Sequence, residues 1–69
     1  MYAMPREKKY RLDSRRDVIA AIGLFGMHCG KYPISRRQSA ARHIAREARR
    51  RGIKVSDHSA VGRYSRRVR

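Results

Sequence analysis

From Val18 to Gly30 the chain carries no Lys, Arg, Asp or Glu, and nowhere else does it run so long without one. That stretch constrains the fold more than any other feature, because everything around it is charged. The 69 residues hold 19 Lys+Arg against 5 Asp+Glu, a formal net charge of +14. Charge of that size repels itself in any compact state. A chain this short also buries only about 60% of the surface that its unfolded form exposes. A core must therefore form around the uncharged stretch, and a spacious substrate pocket in a dry interior is not expected. Divided by segment, the charge is +3 over residues 1–12, +1 over 13–34, +6 over 35–52 and +4 over 53–69. The apolar segment is nearly neutral, and the partner surface is expected around it.

The first helix is predicted to start at Asp13 or Ser14, both good N-cap residues, with Asp17 favourable in the first turn. Val18, Ile22, Phe25 and Cys29 form one stripe at helical spacing, while Ile19, Ala20, Leu24 and Met27 fill much of the remaining circumference. A helix apolar nearly all round is central to its domain or shared with a second subunit. Gly23 and Gly26 each cost about 1 kcal/mol relative to Ala in a helix. Their presence suggests close approach of another backbone, and a homodimer through residues 18–29 is the corresponding expectation. Gly30 is a natural stop, followed by a Lys31-Tyr32-Pro33 connector.

A second helix is predicted from a capping box, Ser35 with Gln38, to Gly52 at the left-handed C′ position, with Ile53 packing back on Ala48. Ala40, Ala41, Ile44, Ala45 and Ala48 fall within a stripe of about 140°. Arg42, Arg46, Arg49 and Arg50 fall on the other side, and Glu47 can pair with Arg50 and Arg51. A third helix is expected from Ser56 or Asp57, with Ala60, Val61, Tyr64 and Val68 inward and Ser59, Gly62, Arg63, Arg66 and Arg69 outward. Ile53-Lys54-Val55 would instead suit a short strand in a winged variant. Residues 1–12 show neither period and contain Pro5, so they read as a flexible basic arm ordered on contact. Tyr2 and Tyr10 in this arm suit the edge of a core or the stacking of bases. The expected fold is all-α: a compact three-helix domain over residues 13–69 behind the arm.

The segments Gln38-Ser39-Ala40-Ala41-Arg42-His43-Ile44-Ala45 and Val55-Ser56-Asp57-His58-Ser59-Ala60-Val61-Gly62-Arg63-Tyr64 resemble helix-turn-helix DNA-binding domains. The likeness covers about 30 residues, within 36–66, and the motif has low specificity. The helix before the turn runs on to about Arg51, and Val61 falls one residue late, so the interhelix geometry departs from the family pattern. The resemblance implies a third helix in the major groove, with Ser59, Arg63 and Arg66 near base edges. It also implies that the preceding helix crosses the phosphate backbone with Arg42, Arg46 and Arg49.

Of the 19 cations, 15 are Arg. Guanidinium forks match phosphate oxygens and guanine edges bidentately, which an ammonium does not. A merely solvated face would mix acids with bases, whereas the second helix opposes four Arg to Glu47 alone. The reading is a nucleic-acid-binding protein, a regulator or accessory factor, with Arg36, Arg42, Arg46, Arg49, Arg50, Lys8 and Lys9 on the backbone. Duplex DNA is favoured over RNA because few aromatics remain for stacking. The alternatives are an RNA- or ribosome-associated protein and a small phage-type effector that binds a host protein complex.

An alanine stripe does not suit a membrane surface, and no run of apolar residues is long enough to span a bilayer. The basic start lacks the apolar region of a secretory signal. A single Cys forms no disulfide within the chain and points to a reducing compartment. A cytoplasmic location, on the nucleoid or the ribosome, is expected. His28, Cys29, His43 and His58 match no metal spacing, and Cys29 on an apolar stripe is inert. With no phosphate loop or paired carboxylates, neither an enzyme nor a cofactor is expected.

Overall fold

Ser14 opens the first helix as the sequence predicts: its backbone is extended, and its hydroxyl accepts the Asp17 N–H at 3.1 Å. The structure, a computed structural model, describes residues 1–66. Helix α1 spans Arg15–His28, buries Val18, Ala21 and Phe25, and passes into a 3-10 turn at Cys29–Lys31. Cys29 is buried and Ile22 half-buried, completing the inward stripe.

Helix α2 spans Ile34–Arg50 and starts one residue before the expected cap. Pro33 holds the N-cap position, and no side chain caps the helix, so the Ser35/Gln38 capping box does not form. Pro33 prevents it: its φ of −59° already suits helix entry, and its carbonyl accepts the Arg36 and Arg37 N–H groups at 3.0 Å. The other end follows expectation. Gly52 has φ +69°, Ile53 N–H donates to Ala48 O at 2.8 Å, and Gly52 N–H donates to Arg49 O at 3.2 Å. Those two bonds satisfy carbonyls that the helix end would leave open.

Helix α3 is shorter and later than predicted, Ala60–Ser65, with Ser59 rather than Ser56 or Asp57 as its cap. Ser56 and Asp57 are used in a turn instead. Ser56 O accepts both the Ser59 N–H at 3.1 Å and the Ser59 hydroxyl at 2.7 Å. Ala60 and Val61 face inward as expected, but Gly62 is buried against the Ser56–Asp57 turn rather than pointing away. Ile53–Val55 is not a strand, and residues 51–59 join α2 to α3 where a compact helix-turn-helix has a short turn. Val68 and Arg69 lie outside the described residues.

The all-α expectation is corrected at the N-terminal end. Strands β1 (Tyr2–Met4) and β2 (Lys9–Arg11) form an antiparallel hairpin, with Tyr2 paired to Arg11 and Met4 to Lys9. The flexible arm is thus a folded element. Strand β1 packs on α2 and β2 on α1. Ala3, Met4 and Leu12 are at most 3% exposed. The physical reason is burial: Ala3, Met4 and Leu12 join the core to which α2 contributes mostly alanine.

Phe25, Leu12, Ile44, Val18 and Val61 are the largest fully buried side chains. Tyr10 and Tyr64 meet the Phe25 ring edge-on, at 5.7 and 6.2 Å between centroids. Arg37 clasps the bottom of this cluster, donating to Tyr32 O at 2.6 Å, Gly30 O at 2.9 Å and the Tyr64 hydroxyl at 3.3 Å. No helix of the described residues is long and apolar enough to cross a membrane.

Candidate nucleic-acid interface

Ser35, Ser39, Arg42, Arg46 and Arg49 recur along α2 at alternating spacings of four and three, which place them on one helix face. All five are exposed, while Ala40, Ala41, Ile44 and Ala48 on the opposite side are buried. The result is a ridge with two hydroxyls at its N-terminal end and three guanidinium groups beyond them.

What distinguishes this ridge is where the acidic groups are. Glu47, 5% exposed, lies on the hairpin side of α2 and meets Arg50 at 3.1 Å and Arg51 at 3.7 Å. Glu7 pairs with Arg36 across the hairpin and α2. Asp13 is held by the Met1 amino group at 2.6 Å and by Arg11 at 3.0 Å, which together keep its carboxyl below the usual aspartate value. Asp57 lies 3.4 Å from Arg66, and Asp17 sits in the first turn of α1. Among the described residues, no carboxylate comes within ion-pair distance of Arg42, Arg46 or Arg49.

The ridge also borders a groove. Arg42, Arg46 and Arg49 line one wall of a cavity of about 230 Å3, with Ala45 as floor and Ser65 of α3 opposite. Through Ala45, Arg49 and Ser65 it continues into a second cavity of about 380 Å3, where Arg66 and Asp57 close the end. From Arg42 to Arg49 the helix rises about 10 Å. One strand of duplex DNA places a phosphate about every 3.4 Å along its axis, so three guanidinium groups over that length match the phosphate spacing in order of magnitude.

The remaining predicted residues are distributed differently. Arg50 is exposed but shared with Glu47, and Arg36 is engaged by Glu7. Lys8 lies in the hairpin turn at φ 52°, and Lys9 lines a cavity with Leu24, His28 and Lys31 on the α1 side. Ser59 has both its proton and a lone pair committed, to Ser56 O and from Gly62 N–H, and so has little left to offer a base. Arg63 is exposed, with its guanidinium 5.9 Å from the Tyr64 ring centre, and Arg66 is exposed beside Asp57. His43 is half-buried, with Nδ1 3.2 Å from Ala3 O.

Ser35, Ser39 and Ser65 were not among the predicted contacts. The two α2 serines share the arginine phase and are legible on a helical wheel. Ser65 joins the groove only through the packing of α3 on α2, which no local pattern encodes. Comparison with protein-family models, curated proteins and solved structures gives no match to this chain.

Proposed function

We propose that this chain is a small nucleic-acid-binding protein that grips the backbone of duplex DNA along α2, in an accessory or regulatory role. The observation that carries this reading is the row Arg42, Arg46 and Arg49, exposed on one ridge without an ion-pair partner among the described residues. Arg50 and Arg66 extend the row at partial strength, and Ser35 and Ser39 add neutral donors for phosphate oxygens, whereas the Ser65 hydroxyl already donates to Gly62 O at 3.2 Å. Arg63, in α3, remains the candidate for a base edge, while Arg66 beside Asp57 serves the phosphate row.

Duplex rather than single-stranded RNA is favoured by the aromatic side chains. Phe25 is fully buried, and Tyr10 and Tyr64 are half-buried against it, so those rings serve the core instead of offering a stacking platform.

The test is the salt dependence of duplex binding by fluorescence anisotropy. Each phosphate contact contributes about −0.9 to the slope of log affinity against log salt. Arg42, Arg46 and Arg49 give about −2.7, and Arg50 with Arg66 brings it to about −4.5. Replacing Arg42, Arg46 and Arg49 together by Ala should reduce the slope by about 2.7 and leave the circular dichroism spectrum unchanged. A slope near zero, or one unchanged in the triple variant, would sink the proposal. Competition by structured RNA at matched salt should be weaker than by duplex DNA.

A further inference from the structure

Where the hairpin turn meets α2, the fold leaves a cavity of about 510 Å3 with polar lining from Arg6, Glu7, Ser35, Arg36, Ser39 and His43. It already holds an anion, and that anion belongs to the chain. Glu7 gives one carboxylate oxygen to Arg36, while the other is buried with no hydrogen-bond partner. A carboxylate left half-satisfied out of water is costly. Around it the donors are unused. Among the described residues, the Ser35 and Ser39 hydroxyls and the Arg6 guanidinium enter no hydrogen bond or ion pair.

The chemistry of that lining suits one class of ligand. Two guanidinium groups line a space where the chain supplies a single negative charge. A phosphate monoester brings about −1.5 to −2 charges at neutral pH and three strong acceptor oxygens, whereas each backbone diester carries one charge. Such a group matches Arg6, Arg36 and the two hydroxyls better than the Glu7 carboxylate does. The volume is many times the ~30 Å3 that one water takes in the liquid, so there is room for a phosphate beside Arg36. The turn that carries Glu7 also lies outside the core, with Pro5, Arg6 and Lys8 exposed. Glu7 can therefore give up Arg36 and return its second oxygen to water.

We propose that this cavity binds a terminal phosphate monoester of duplex DNA, with Glu7 as an internal plug that the phosphate displaces from Arg36. The source of the phosphate rests on the α2 reading above. Ser35 and Ser39 belong both to the cavity and to the ridge that continues through Arg42, Arg46 and Arg49. From Ser39 to Arg42 the helix rises about 4.5 Å, close to the ~3.4 Å phosphate step of one strand. A strand laid along the ridge toward Ser35 therefore runs out at the cavity, which receives its last phosphate. Internal diesters are held on the ridge, and the cavity reads the end.

The test compares duplexes of one sequence that end in phosphate, at the 5′ or the 3′ side, or in hydroxyls, by fluorescence anisotropy at fixed salt. One phosphorylated form should bind about tenfold more tightly than the hydroxyl form. Glu7→Gln should widen that ratio, because the plug loses its charge. Arg36→Gln and Arg6→Gln should each bring it toward one, while the hydroxyl-ended duplex still binds. Without nucleic acid, inorganic phosphate replacing chloride at constant ionic strength should shift the amide NMR signals of Glu7, Ser35, Arg36 and Ser39. Equal binding of all three duplexes, or a preference that neither arginine variant reduces, would overturn the proposal and leave the α2 reading standing. Phosphate shifts without binding of any duplex would overturn the DNA source together with the α2 reading. Shifts confined to Arg42, Arg46 and Arg49 would overturn the cavity itself, since Glu7 would then keep it closed.

Discussion

A Cβ at Gly62 would collide with the Ser56 carbonyl and crowd the Asp57 Cα, whereas one at Gly23 would meet nothing. The same substitution therefore has opposite signs at two helical glycines, and it is Gly62, which the sequence placed facing outward, that has the close backbone neighbour. Gly62→Ala forces the turn before α3 to shift and should destabilise the chain by about 1–3 kcal/mol. Gly23→Ala should stabilise the monomer by about 0.5–1 kcal/mol through helix propensity. Urea unfolding of the two variants beside the parent chain checks both signs. Tyr10 shows a different residue-level compromise. Its φ of 61° is left-handed, which costs about 1–2 kcal/mol for a residue with a side chain, and it is held there with its ring edge-on to Phe25. Burial, with Tyr32 and Cys29 nearby, raises its phenol pKa above the ordinary 10.0. The folded state thus favours the neutral phenol. That contribution is intact below about pH 10 and is lost as pH rises through the folded pKa. Tyr10→Phe should flatten this alkaline loss in a series of melting temperatures against pH.

At the scale of elements, serine matters only where its hydroxyl meets an open N–H. Ser14 caps α1 and Ser59 caps the six-residue α3, while Ser35 caps nothing. Ser14→Ala and Ser59→Ala should each cost about 1 kcal/mol, and Ser35→Ala should fall within about 0.5 kcal/mol of the parent chain in the same unfolding assay. These caps also show which elements can be read without a structure. The α1 cap, the alanine stripe and the Gly52 end of α2 depend on residues within a few positions of one another, so pattern alone reveals them. The start of α3 is not local in that way. Ser56 and Ser59 are equally good caps by type, and the close seat of Gly62 on the turn decides between them. The hairpin is harder still, because three-residue strands are too short to show a period of two. Its stability comes from the burial of Ala3, Met4 and Leu12 in the core shared with α1 and α2, a property of packing. The arginine ridge was legible because helical phase is local. Its groove was not, because Ser65 arrives from another element.

For the whole molecule the balance is between a few ion pairs and a large excess of like charge. The pairs that involve Asp13, Asp57 and Glu7 lie wholly or partly in solvent, where such contacts contribute about 0–1 kcal/mol each. Against them stand the 17 cations and 5 anions of the described residues 1–66, within 27 × 25 × 18 Å. The Debye length is about 30 Å at 0.01 M ionic strength and about 10 Å at 0.1 M. At low salt every cation therefore repels nearly every other, and at moderate salt only neighbours such as Arg42, Arg46 and Arg49 still do. Salt weakens the attractive pairs as well, but those are fewer and each is close, so the repulsive sum loses more. The melting temperature should consequently rise as sodium chloride is added. It should rise further with sulfate at equal ionic strength, because an anion held between adjacent guanidinium groups binds the folded state alone. Replacing Arg42, Arg46 and Arg49 by Ala should raise the melting temperature at low salt and shrink the sulfate increment. A melting temperature that fell with salt would mean that the ion pairs, not the excess charge, govern stability, and that the ridge is neutralised in some other way.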